Sequence, residues 1–143
     1  MLKSMPVSRS VFRHLAIRCI FVYRDPRDVV SSTLEKTRGA WRRGHPEVMR
    51  DPAHLARRWV NMMEAMERCR DDLLVVRYED FVTDPTLTFE QLGEWLDVEP
   101  EGFDRAPVNA GNIGKYRQGL TQPELSDVVA VAGSAMQRYG YNI

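Results

Sequence analysis

Arg24 and Ser32 stand eight positions apart, where the apolar run Cys19-Ile20-Phe21-Val22-Tyr23 breaks into Arg24-Asp25-Pro26-Arg27-Asp28. A guanidinium offers paired donors to a phosphate, and a hydroxyl can add another. Asp25 suits a helix N-cap and Pro26 the first helical position, so a helix opens immediately after Arg24. Helix N-termini and the carboxyl ends of buried strands are where open α/β sheets hold anions. Ser32 lies two turns into the helix and could present its hydroxyl to the same anion. The chemistry is phosphate binding by one guanidinium, one hydroxyl and a helix end. An ordinary strand-to-helix turn carrying a surface Arg would use the same residues.

The elements that must position these groups are legible from periodicity and punctuation. Residues 7–17 predict a short helix with Val11, Phe12, Leu15 and Ala16 on its apolar face, and residues 18–24 a buried strand. Residues 26–37 predict a helix, and Arg38 to Arg50 a loop. Asp51-Pro52 opens a helix to about Arg70, with Leu55, Trp59, Met62, Met66 and Cys69 on one core face. Residues 73–78 predict a second strand. Asp84-Pro85 opens a helix through Leu96, with Leu92, Trp95 and Leu96 facing inward. Residues 97–120 are mostly irregular, a length that marks function in a compact domain. Thr121 to Glu124 is a capping box. The helix it opens buries Leu125, Val128, Val129, Ala132 and Met136 and stops at Gly140. The fold class is α/β, a parallel sheet flanked by helices in a single domain over residues 1–143. Two strands alone make a marginal sheet, and an open edge invites pairing between copies, hence a homo-oligomer.

Three stretches in this order carry a resemblance. The first is Tyr23-Arg24-Asp25-Pro26-Arg27-Asp28 with Ser32. The second is the run Leu73 to Arg77, followed by Tyr78-Glu79-Asp80 and Asp84-Pro85. The third is Asn109-Ala110-Gly111-Asn112-Ile113-Gly114-Lys115-Tyr116-Arg117, followed by the capped helix and Gly140-Tyr141. Together they resemble the sulfotransferase family, which uses 3′-phosphoadenosine 5′-phosphosulfate as co-substrate. The resemblance implies a P-loop NTPase-like sulfotransferase fold. It implies that Arg24 and Ser32 hold the 3′-phosphate, that Tyr78 lies near adenosine, and that Gly111 to Arg117 closes over the nucleotide. Lys115 and Arg117 would bring cations to the phosphate. On other grounds, Tyr78 is also an ordinary half-packed strand-end tyrosine, and Glu79 and Asp80 ordinary loop and cap carboxylates.

The chain departs from the family in three places. Family members begin with a strand and a glycine-rich loop for the 5′-phosphosulfate; nothing comparable precedes Arg24, and no GxxxxGK[ST] pattern occurs. The chain resembles the family's C-terminal two-thirds, as though N-terminally truncated. Leu2-Lys3-Ser4-Met5-Pro6 is similar to a family stretch whose His is the general base, but Met5 holds that position and a thioether is no base. Lys3 matches a family Lys, and is equally an exposed N-terminal Lys. His14, His45 and, more remotely, Glu79 are stand-ins for the base. Asn109 and Ala110 replace expected basic residues; Lys115, Arg117 and Lys36, one turn after Ser32, could restore the charge.

Composition bounds the remainder. The formal net charge of zero removes the electrostatic footprint of a nucleic-acid binder. Lys36, Arg38, Arg42, Arg43, Arg50, Arg57 and Arg58 nevertheless crowd one region, either a solvated face or a rim attracting anions. Cys19 and Cys69 form neither a disulfide framework nor a metal motif, and His14, His45 and His54 lack metal-ligand spacing. No metal is expected. No apolar run reaches membrane-spanning length. The acid-free, Arg-bearing first 24 residues are similar in composition to a transit peptide. An apolar helix face leading into the strand explains them better, and cytoplasmic location is the default.

The expectation is a transferase moving a sulfuryl group from the phosphosulfate to a hydroxyl or amine acceptor, a small molecule or carbohydrate. Its alternative is a non-catalytic remnant that keeps a 3′-phosphoadenosine half-site or only an interaction role. An ATP-using kinase relative is disfavoured, because a Walker lysine and a magnesium carboxylate pair are missing.

Overall fold

The computed structural model describes residues 17–39, 46–103 and 110–143. The helix expected over 7–17 lies outside the described residues except for Ile17, and so do Lys3, Met5, His14, His45 and Asn109. The chain divides into two compact units, Met1–Tyr23 with Ala65–Val108 and Arg24–Glu64 with Asn109–Ile143.

In the first unit, β1 (Cys19–Tyr23) and β2 (Leu73–Arg77) pair in parallel, from Cys19 opposite Leu73 to Tyr23 opposite Arg77. Both runs are rich in the β-branched and aromatic residues that fit a pleated surface. Ile20 and Val22 alternate onto the more exposed side of β1, at 42% and 55% exposure. Two helices follow β2, α3 (Tyr78–Thr83) and α4 (Pro85–Leu96). Contrary to the expectation of a strand over 73–78, Tyr78 opens a helix and does not end the strand. Glu79 and Asp80 occupy the first turn of α3, where the helix dipole favours carboxylates. Thr83 Oγ1 donates to the Glu79 carbonyl at 2.8 Å, and Pro85 then forces a new start. Six residues are too few for a 3.6 period to show. Glu79 is buried and lies 3.5 Å from the Arg77 guanidinium, so it is no ordinary loop carboxylate. The buried face of α4 is Thr88, Phe89 and Gly93, with Leu92, Trp95 and Leu96 only half-buried. Phe89 joins Phe81 edge-on at 5.6 Å and Phe103 in a stack at 5.5 Å, giving this unit its aromatic core.

In the second unit, α1 (Pro26–Arg38) packs against α6 (Gln122–Arg138) and the short helix α5 (Tyr116–Gly119). The helix α2 (Pro52–Arg68) begins in this unit and ends in the other. Val30, Leu34, Val128, Ala132 and Met136 are at most 1% exposed and form the core, with Leu55 and Trp59 from α2. The apolar stripe of α2 runs 55, 59, 63, 66: Met63 is buried and Met62 is 46% exposed. Steps of four, four and three follow the 3.6 period, and residue 62 sits one position off that line. Trp59 meets Tyr139 edge-on at 6.1 Å.

The helix starts α1, α2 and α4 share one device. Asp25, Asp51 and Asp84 each accept the backbone N–H two residues on, at 2.9, 3.0 and 3.3 Å, and each precedes the proline that begins the helix. At α6, Glu124 completes the capping box by accepting the Thr121 N–H at 2.8 Å. It is also ion-paired with Arg38 at the end of α1. Burial pushes the Glu124 carboxyl up, but the Arg38 and Thr121 donors outweigh it and hold the pKa below the usual carboxylate range. The expected loops carry short 3₁₀ turns at Glu47–Arg50, Pro100–Gly102 and Ala110–Asn112.

Candidate anion-binding site

Arg24 follows β1 directly, and the indole of Trp59 fixes its carbonyl with a 2.9 Å hydrogen bond. Its side chain is 21% exposed. Nη2 lies 3.0 Å from Asp28 Oδ2 and also donates to the carbonyl of Asn112. The guanidinium is therefore aimed by two acceptors, one on α1 and one on the segment that leads into α5.

Asp28 is the organising carboxylate, and its side chain is 1% exposed. Besides Arg24 it accepts the backbone N–H of Gly114 at 2.8 Å through Oδ2 and that of Tyr116 at 2.9 Å through Oδ1. A buried carboxylate needs such partners, and here two of the three are main-chain groups of a loop 86 and 88 positions away. Gly114, in the strap Asn112–Arg117, has φ +76°, a left-handed conformation that favours glycine there.

Tyr116 is buried, and two guanidinium groups lie over its ring. The guanidinium of Arg27 lies 4.4 Å from its ring centroid and that of Arg117 5.1 Å. Arg27 is held by Asp25, Nη2 to Oδ2 at 2.6 Å. Burial opposes its charge, yet the Asp25 hydrogen bond prevails and its pKa is raised. Gly119, the last residue of α5, lies close against α1, where a Cβ would meet Ser31 Oγ.

Residues 16–102, more than half of the chain, match the model described as Sulfotransferase family. The chain belongs to the sulfotransferase family. Neither a curated protein nor a solved structure matches it. The family match contains Arg24, Asp28, Ser32 and Tyr78, while Gly111, Lys115 and Arg117 lie beyond it.

The site residues expected of a sulfotransferase are distributed as follows. Arg24 and the segment carrying Gly111, Lys115 and Arg117 come together in the second unit, joined by Asp28. Ser32 is half-buried on α1, one turn beyond Asp28. Gly111 lies in the 3₁₀ turn Ala110–Asn112, and Lys115 and Arg117 are exposed. Lys36 is exposed one turn beyond Ser32. Tyr78 is half-buried at the start of α3 in the first unit. Lys3 lies outside the described residues. Asp28, which joins Arg24 to the strap, is not among the residues the sequence singles out, although an Asp four positions after Arg24 in the first helical turn is plain in it. Among the described residues no cluster of His, Cys, Asp and Glu could hold a metal ion, and no helix is long and apolar enough to cross a membrane.

Proposed function

We propose that the chain is a single sulfotransferase-like domain of P-loop NTPase-like ancestry that uses 3′-phosphoadenosine 5′-phosphosulfate. When bound, the co-substrate would supply the sulfuryl group, transferred to a hydroxyl or amine of a small-molecule or carbohydrate acceptor. The observation that carries this reading is Arg24, held by a buried carboxylate and a strap carbonyl, with two exposed cations on that strap. That arrangement suits a phosphate, which takes charge-assisted hydrogen bonds from an oriented guanidinium. Arg24 and the Ser32 hydroxyl would bind the 3′-phosphate. Gly111 to Arg117 would cover it, with Lys115 and Arg117 neutralising charge. Tyr78 is given to adenosine by family position alone. A cytoplasmic location belongs to the same reading.

Calorimetric titration with 3′-phosphoadenosine 5′-phosphate, against adenosine 5′-phosphate as control, tests the proposal. Binding that requires the 3′-phosphate is expected. A folded chain that binds neither nucleotide overturns the co-substrate reading and favours a non-catalytic member of the family, which Met5 in place of the family His also favours.

A further inference from the structure

We infer that Asp28 is a positioning residue, the latch that holds the strap Asn112–Arg117 against α1 and aims Arg24 at its anion. This deepens the proposed nucleotide reading and rests on it for the identity of the anion. A carboxylate buried at the first turn of a helix could be explained by the dipole alone. Two features go beyond that explanation. Both carboxylate oxygens are directed to main-chain donors of a remote strap, Gly114 and Tyr116. The oxygen that holds Gly114 is also the one 3.0 Å from Arg24 Nη2, while the strap's Asn112 carbonyl accepts from the same nitrogen. Arg24, Asp28 and the strap thus form a closed ring of contacts. Releasing the strap removes an acceptor from Arg24, and turning Arg24 away removes a cation from Asp28.

Lys115 and Arg117 are exposed on the strap and move with it, so the latch also decides whether two more cations face the ligand. Asp28 need not touch the nucleotide to act. Its negative charge is paired with Arg24, and both of its oxygens accept strap amides.

The test is Asp28→Asn. The amide keeps the size of the side chain, but its NH₂ faces one of the two strap N–H groups and the charge beside Arg24 is lost. Trypsin reads the strap directly at Lys115 and Arg117, with the helical Arg57 and Arg58 as internal reference. We expect cleavage at Lys115 and Arg117 to rise about tenfold over the reference sites, as when a locally closed segment loses its hydrogen bonds. We also expect the preference for 3′-phosphoadenosine 5′-phosphate over adenosine 5′-phosphate to collapse. A purely structural role would lower the melting temperature without moving that ratio in the folded fraction.

Unchanged cleavage with an unchanged nucleotide ratio overturns the latch. If the native chain binds no nucleotide, the co-substrate reading fails and cleavage alone decides: faster cleavage at the strap supports the latch, and unchanged cleavage overturns it. If Asp28→Asn does not fold, amide hydrogen exchange on the native chain decides. Protected Gly114 and Tyr116 amides support the latch, and exchange at unprotected rates overturns it.

Discussion

A guanidinium already held by a carboxylate meets a phosphate differently from one that swings in water. Arg24 has its orientation fixed by Asp28 and the Asn112 carbonyl, so little rotamer freedom remains to be lost when an anion arrives. Replacing Arg24 with Ala should weaken binding of 3′-phosphoadenosine 5′-phosphate by more than about tenfold, since a hydrogen bond to a charged group is worth about 1.5–3 kcal/mol. Calorimetry on the folded variant checks this, and unchanged affinity would remove Arg24 from the site. At this scale the sequence was readable where one side chain does one thing. The place of Arg24, between the end of β1 and the proline that opens α1, falls in that class. Asp28 was not readable, because its partners are two backbone amides, and a backbone amide looks the same at every position of a sequence.

Helix starts and stops were the most legible elements, because caps and prolines act locally. The strands expected over 18–24 and 73–78 are found over 19–23 and 73–77, and the helices opened by Pro26, Pro52 and Pro85 start where punctuation places them. Tyr78 and Met62 depart from the expectation for opposite reasons. The helix at Tyr78 is too short to show a period, and Met62 and Met63 are chemically identical, so only packing could choose between them. The join between α1 and α6 allows a prediction with a definite sign. Glu124 has a pKa depressed on folding, so its contribution is present above the unfolded carboxylate value of 4.5 and is lost as pH falls through the lower folded value. Chemical denaturation of Glu124→Gln should therefore show a deficit near neutral pH that closes below about pH 4. A deficit constant down to pH 2 would mean that the charge on Glu124 contributes nothing.

Across the whole chain the formal charges cancel, so no net charge draws anions in from a distance. Attraction to a nucleotide has to come from local cations, which salt screens over about 8 Å at physiological strength. Affinity for 3′-phosphoadenosine 5′-phosphate should fall several-fold between about 0.05 and 0.5 M sodium chloride, less for ligand contacts made through Arg24 than for those through exposed Lys115 and Arg117. Comparing the salt slopes of Lys115→Ala and Arg24→Ala checks this: the first should flatten the slope more. The α/β class and the parallel strand pair were legible from two apolar runs separated by helices. The partition into two units was not legible, since it depends on which distant segments share contacts and not on any boundary in composition. One repeated feature reaches beyond folding. The bonds Asp25-Pro26, Asp51-Pro52 and Asp84-Pro85 are the peptide links most prone to hydrolysis in warm dilute acid, where a free aspartyl carboxyl attacks its own carbonyl and the basic proline nitrogen departs. In the native chain each of these carboxylates is occupied with an amide hydrogen bond. Once acid and heat undo the caps, the chain should break into fragments 1–25, 26–51, 52–84 and 85–143, so that mass spectrometry would read the starts of three helices as scission points.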